Sequence, residues 1–265
     1  MEAKVSASSV TAPRATVPAV RLWLFPHAGG SALMYQNWPP LFPAGWRVTA
    51  LDAPGHGTLM DQPPLSDGDA LVAHHLKRLI RELDASDAPF ALFGHSMGAL
   101  VAYELARRLT DRGRAPVWLG LSACGAPRQD APPVPVRSRE LSDEELRRQV
   151  ARLGGTPPRV LNHPGLWRHF APVIRADLQL VESWRPAPAD GPLAVPVSVF
   201  GGAEDAVVGP QALERWGERC ARPPAMHIFP GGHFYFQDDL DAVTHAVAND
   251  VTTALHHSPA STAGR

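Results

Sequence analysis

The sequence predicts an α/β chain: a mainly parallel central sheet with helices on both faces and a helical insertion at its carboxyl edge. Three observations lead there. Short apolar runs alternate with helix-period segments from Val20 to Gly113, and the alternation resumes after Val195. The runs are apolar almost throughout, as strands buried on both faces are. Between the two blocks, from about Pro132 to Trp184, the strand pattern disappears and only helical patterns remain.

Taken in order, Val20–Pro26 is the first strand, running into a Gly-rich turn, His27-Ala28-Gly29-Gly30-Ser31. Such a turn lets backbone N–H groups face a ligand. Trp46–Leu51 is the second strand, ending in the Pro/Gly loop Asp52–Gly57. Ser66 or Asp67 can cap a helix whose Leu71, Val72, Leu76, Leu79, Ile80 and Leu83 share one face. Pro89–Phe93 is a strand, Ala99–Leu109 a helix, and Val117–Ala123 a further strand. The Ala131–Pro135 segment is stiff and extended. Ser142 with Glu145 fits a capping box, and Gly154–Pro158 breaks the helix that follows. Leu166 to Trp184 carries a second apolar face, in which Pro172 is expected to divide the stretch or begin a new helix. The alternative to an insertion is a long crossover connection, but links between neighbouring strands are usually short. Val195–Phe200 and Ala225–Phe229 are the last strands, with helices expected near Gln211–Cys220 and Asp238–Leu255.

The expected organisation is one domain over residues 20–256, with the insertion at about 132–185 and mobile tails at 1–19 and 257–265. Formal net charge is −1, and no polybasic run suggests a nucleic-acid groove or a membrane surface. No apolar run approaches the roughly 20 residues of a membrane span, and the first residues lack a signal peptide's apolar core. Two isolated cysteines, Cys124 and Cys220, form neither a disulfide framework nor a metal-ligand cluster. A cytoplasmic protein without metal or other cofactor is expected.

The chemistry centres on Gly94-His95-Ser96-Met97-Gly98. G-x-S-x-G is common by chance, but here it joins a strand to a helix, the context of a nucleophile elbow. The bland alternative is a Gly-rich turn whose serine caps the helix. A serine hydroxyl needs a base, and the base an orienting acid. In a doubly wound sheet all three lie at carboxyl ends of strands. Ser96, Asp205 and His233 each follow a strand, in the chain order of α/β-hydrolases. Glu204 competes with Asp205 as the acid; Asp205 precedes the turn Ala206-Val207-Val208 and is preferred. His95 is too close to the serine in the chain to be its base, and is expected to pack or hydrogen-bond below it. His27 is expected to organise its turn, and Asp52 and His56 to stabilise their own loop by local hydrogen bonds. The expected oxyanion donors are the N–H of Met97 and of Ala28, with Gly29 the fallback.

Five phrases together resemble the type II thioesterases of polyketide and non-ribosomal peptide biosynthesis. They are Leu24–Ala32, Asp52–Gly57, Phe93–Ala99, Val199–Asp205 and Pro230–Tyr235. F-P-H-A-G-G-S and P-G-G-H-F-Y are the discriminating ones, and the likeness runs from about Arg21 to Leu255. One departure is visible: family members often carry Arg where this chain has His56. The resemblance implies an α/β-hydrolase fold and hydrolysis of acyl or aminoacyl thioesters on the phosphopantetheine arms of acyl or peptidyl carrier domains. It also implies an editing role, with the helical insertion as a lid. A carboxylesterase or lipase of the same fold, a product-releasing thioesterase and an idle binding scaffold are the alternatives.

Overall fold

The structure, a computed structural model, describes residues 20–127, 137–185 and 191–257. The expected tails up to residue 19 and beyond 257, and the Pro132–Pro135 segment, lie outside the described residues. Among the described residues six strands pair in the order β2-β1-β3-β4-β5-β6, every pair parallel. They are β1 (Val20–Phe25), β2 (Trp46–Ala50), β3 (Phe90–His95), β4 (Trp118–Ser122), β5 (Val197–Gly202) and β6 (Ala225–Phe229).

Period-two alternation sorts the strand side chains into two cores. Trp23, Phe25, Leu92, Leu119, Leu121 and Val199 face α1 (Gly68–Asp84) and α2 (Met97–Thr110). Val20, Leu22, Leu24, Ala91, Phe93 and Phe200 face the opposite way, towards Val243, Val247 and Val251 of α7 (Leu240–His256). With no face left for water, β1, β3, β4 and β5 are buried along their whole length. Helix α1 starts where expected, the Asp67 carboxylate accepting from the Ala70 N–H at 2.8 Å.

Among the described residues between β4 and β5 stand three α-helices, α3 (Asp143–Leu153), α4 (Pro158–Asn162) and α5 (Pro164–Ser183). The Ser142–Glu145 capping box opens α3. Leu146 and Val150 of α3 pack on Trp167, Ala171 and Ile174 of α5, making a third, separate apolar cluster. Further along α5, Leu180 enters the main core and Val181 packs against it, so this helix joins the insertion to the sheet.

Two sequence expectations are corrected. Pro172 does not divide its stretch: α5 runs unbroken through it for 20 residues. Pro172 sits on the exposed side with Arg168, so the carbonyl that loses its N–H donor can be hydrated. The helix expected over Gln211–Cys220 is a short α6 (Pro210–Glu214) that tightens into a 3-10 turn, Arg215–Arg219. Gly217 weakens continuation, and the turn carries Trp216 into the core, its indole N–H donating to the Cys124 carbonyl at 2.6 Å.

The β3–α2 junction has the least space. A Cβ on Gly94 would lie 1.9 Å from the Gly98 carbonyl oxygen, and one on Gly98 2.0 Å from that of Phe25. These obstacles are backbone atoms and cannot rotate away. Gly94→Ala is therefore expected to destabilise by about 3 kcal/mol or more, at or above the upper end for overpacking. Urea unfolding, with Gly209→Ala as an uncrowded comparison, checks this.

Candidate active site

The strand order reverses between β1 and β3: the chain passes from β1 outward to β2, then back across to β3. Such a switch point opens a crevice at the carboxyl ends of the two strands. The His27–Ser31 turn and the elbow both lie there. Ser96 has φ 55° and ψ −115°, a conformation non-glycine residues rarely adopt. The turn is held by the Ser96 N–H donating to the Ser122 carbonyl at 2.8 Å. Ser96 is half-exposed while its neighbours from Phe90 to His95 and from Met97 to Ala106 are buried.

Asp205 follows β5 and His233 follows β6, adjacent strands in the sheet. The His233 Nδ1–H donates to Asp205 Oδ2 at 2.8 Å, and Asp205 Oδ1 accepts from the Val207 and Val208 N–H groups at 2.8 and 3.0 Å. Burial alone would raise the Asp205 carboxyl. The His233 hydrogen bond and charge and the two N–H groups overcome it, leaving the carboxyl below its ordinary value. Glu204 is exposed and accepts from the Gly231 N–H, bracing the loop before His233. The two adjacent carboxylates thus have different partners, and it is Asp205 that reaches the imidazole.

Three histidine rings converge at the site. The His95 ring centroid lies 5.2 Å from that of His233 and 6.1 Å from that of His27. His27 is pushed down to about 3, by burial first and then by the neighbouring His233 and His56. His95 is pushed well below the ordinary histidine value by the same order of causes, burial and then His233 and His27. Both rings are neutral at pH 7. As expected, His95 bonds below the elbow, through Nδ1 to Ser122 Oγ at 2.8 Å. His27 holds its turn, its carbonyl accepting from the Gly30 N–H at 2.9 Å. Of the three, His233 is the ring with a carboxylate partner. No hydrogen bond joins Ser96 Oγ to His233 among the described residues; in ligand-free sites that contact is often long.

The Met97 N–H is at the first position of α2, where no intrahelical acceptor exists. The Gly29 N–H is already committed, donating to Asp177 Oδ2 at 2.6 Å. That leaves Ala28 rather than Gly29 as the candidate second donor from this turn.

Asp177 is the residue the sequence reading missed. It lies on α5, 2% exposed, and the same Oδ2 accepts from His56 Nε2 at 2.8 Å. His56 Nδ1 faces the Pro54 carbonyl at 3.1 Å. The expectation of purely local bonding in the second loop is therefore corrected for His56. For Asp52 it holds only in part: Oδ2 accepts from the Thr58 N–H and hydroxyl, both at 2.9 Å. Even Asp52 reaches further, Oδ1 accepting from the Ala32 N–H at 2.7 Å. The signal available was a lone buried acid, Asp177, at a core-facing position of an amphipathic helix.

A profile of the thioesterase domain family matches residues 20–251. The chain belongs to the thioesterase family. It is 32% identical over 242 residues to a probable cadicidin biosynthesis thioesterase of Streptomyces griseus, covering 91% of this chain and 64% of that protein. It is 32% identical over 226 residues to the gramicidin S biosynthesis protein GrsT of Aneurinibacillus migulanus, covering 83% and 84%. The solved type II thioesterase BorB, from the borrelidin biosynthetic cluster, superposes with a TM-score of 0.77 at 34% identity, covering 88% of this chain and 92% of that one. Sequence and fold group this thioesterase with the type II enzymes of polyketide and non-ribosomal peptide pathways. It is a hydrolase of thioesters with the α/β-hydrolase fold.

Both ring nitrogens of His56 face oxygen acceptors, an arrangement that favours the protonated ring. Burial lowers its affinity for that proton, but the Asp177 hydrogen bond and charge and the Pro54 and Ala53 carbonyls outweigh it. The net shift is upward from 6.5. His27 and His75, the other titratable rings coupled to His56, are both down at about 3 and uncharged at pH 7, first through burial. A group whose folded value is raised stabilises fully below its unfolded value, and this is lost as pH rises through the folded value. Urea unfolding is thus expected to show the stability advantage of the wild type over His56→Gln shrinking as pH climbs above 6.5 through the raised His56 value, while the lowered His27, His75 and His95 act alike in both proteins. At pH 6 His56→Gln should cost about 3–5 kcal/mol, because Asp177 then stays buried without a charged partner.

Proposed function

We propose that Ser96, His233 and Asp205 form the catalytic triad and that the Met97 and Ala28 N–H groups form the oxyanion hole. The observation that carries this reading is the Asp205–His233 contact at 2.8 Å, formed beside a serine in a strained elbow. His233 takes the Ser96 proton through Nε2 as Oγ attacks the thioester carbonyl. The Met97 and Ala28 N–H groups stabilise the oxyanion. The thiolate is a good leaving group and departs without needing a proton. Water, activated by His233, then releases the acid and restores Ser96.

The substrates are acyl or aminoacyl groups on the phosphopantetheine arms of acyl or peptidyl carrier domains, and hydrolysis removes stalled or aberrant groups. Supporting this are relatives named for cadicidin and gramicidin S biosynthesis and the likeness to BorB. The helices from α3 to α5 act as a lid under which the acyl chain sits. Gly154 and Gly155, at the end of α3, lie on the Phe234 ring beside His233. The enzyme works in the cytoplasm, where the carrier domains are. Among the described residues no helix is long and apolar enough to cross a membrane.

Ser96→Ala is expected to abolish both turnover and labelling by a fluorophosphonate probe, with little loss of stability. A folded wild type that resists the probe would overturn the serine mechanism. An acyl thioester on a carrier should be hydrolysed faster than a matched oxygen ester; the reverse preference would favour a carboxylesterase. Because Glu204 is occupied by Gly231, Asp205→Asn should lower kcat by about 10³–10⁴-fold. Glu204→Gln should leave kcat within a few-fold of wild type in the same assay.

A further inference from the structure

We propose that Asp177 is a positioning residue for the oxyanion loop, so that the loop takes its catalytic shape only when α5 is seated on the core. This rests on the oxyanion hole described above. The Gly29 N–H and the Ala28 carbonyl belong to one peptide plane, which begins where the Ala28 residue ends. Fixing that plane restricts the rotation of Ala28, whose own N–H is the candidate oxyanion donor. Asp177 Oδ2 fixes it at 2.6 Å from the Gly29 nitrogen.

The Gly30 N–H to His27 carbonyl bond closes the turn, but the Gly29 N–H finds its acceptor outside it, on α5. Gly29 has φ 77°, and as a glycine it has many other conformations open to it. The helix supplies the constraint in two ways. Asp177 bonds the Gly29 N–H, and Ile174, one turn earlier, closes the space beside Gly29, its Cγ1 2.8 Å from where a Cβ would stand. Asp177 is in turn fixed from the core side by His56 Nε2 at 2.8 Å, and His56 by the Pro54 carbonyl at 3.1 Å. One buried carboxylate oxygen therefore joins three segments: the turn after β1, the loop after β2, and the helix over the sheet edge. If α5 lifts, the Gly29 peptide loses its acceptor and the oxyanion donor loses its orientation. Seating of the helix and completion of the hole are one event.

A group that only orients a transition-state donor should act on kcat and leave KM nearly unchanged. The test uses Asp177→Asn, close to isosteric, beside Asp177→Ala. Turnover of an acyl thioester is measured together with amide hydrogen exchange at Gly29. Affinity for an alkylboronic acid, which forms a tetrahedral anion on the serine, is measured alongside. The expected result for Asp177→Ala is faster exchange at Gly29, at least a tenfold fall in kcat with KM within about threefold, and at least tenfold weaker boronate binding. Asp177→Asn, which keeps an acceptor for Gly29, should recover part of each. If Asp177→Ala does not fold, Asp177→Asn is read with His56→Gln, and each should show a smaller fall in kcat at unchanged KM. Unchanged kcat and boronate affinity in folded variants, or rapid exchange at Gly29 in the wild type, would overturn the proposal. Failure of the thioesterase reading looks different: the wild type would protect Gly29 yet hydrolyse no thioester, and boronate affinity would then decide the role of Asp177.

Discussion

The contact between β3 and α2 is the constraint on which the site depends. Two carbonyl oxygens stand within about 2 Å of the places where side chains on Gly94 and Gly98 would begin. That closeness forces the chain to reverse in very few residues, and the reversal puts Ser96 in its strained conformation. It also presses the start of α2 against the end of β1, bringing the Met97 N–H close to the His27–Ser31 turn. The proposed nucleophile and oxyanion donors are thus neighbours by backbone packing, before any side chain contributes.

Electrostatics then separates groups that look alike in composition. Three imidazoles crowd one end of the sheet, a poor arrangement if all could bind protons. Burial keeps His27 and His95 uncharged, and Asp205 gives His233 the only carboxylate hydrogen bond among the three. Two adjacent carboxylates are sorted in the same way, one turned inward to the imidazole, the other outward to a backbone N–H. The distribution of roles follows from which way each backbone turn points a side chain.

The strands, the elbow and the order of Ser96, Asp205 and His233 were legible because they depend on local pattern: apolar runs, glycines at fixed offsets, residues just past strand ends. What was not legible depends on approach between distant segments. His56 and Asp177 are 121 positions apart, and nothing near either one announces the other. Local rules also failed where tertiary context overrode them. Pro172 stays within a helix because its face is open to water, and the helix after β5 tightens because Trp216 is drawn into the core. The departure of His56 from the arginine common in the family finds a physical reading as well. Either residue offers an N–H donor there, and in this chain the Asp177 carboxylate accepts it.

The two cysteines have a bearing on chemistry in which neither takes part. An enzyme that meets activated thioesters all its life risks acylating itself, since any thiolate nearby can capture the acyl group by exchange. Burial lifts the Cys124 thiol to about 12 and the Cys220 thiol to about 11, and the two remain unpaired. At neutral pH that leaves on the order of one thiol in 10⁴ or fewer ionised. Neither cysteine thus offers a ready thiolate to a pool of reactive sulfur esters, and acyl capture is left to the proposed nucleophile, Ser96.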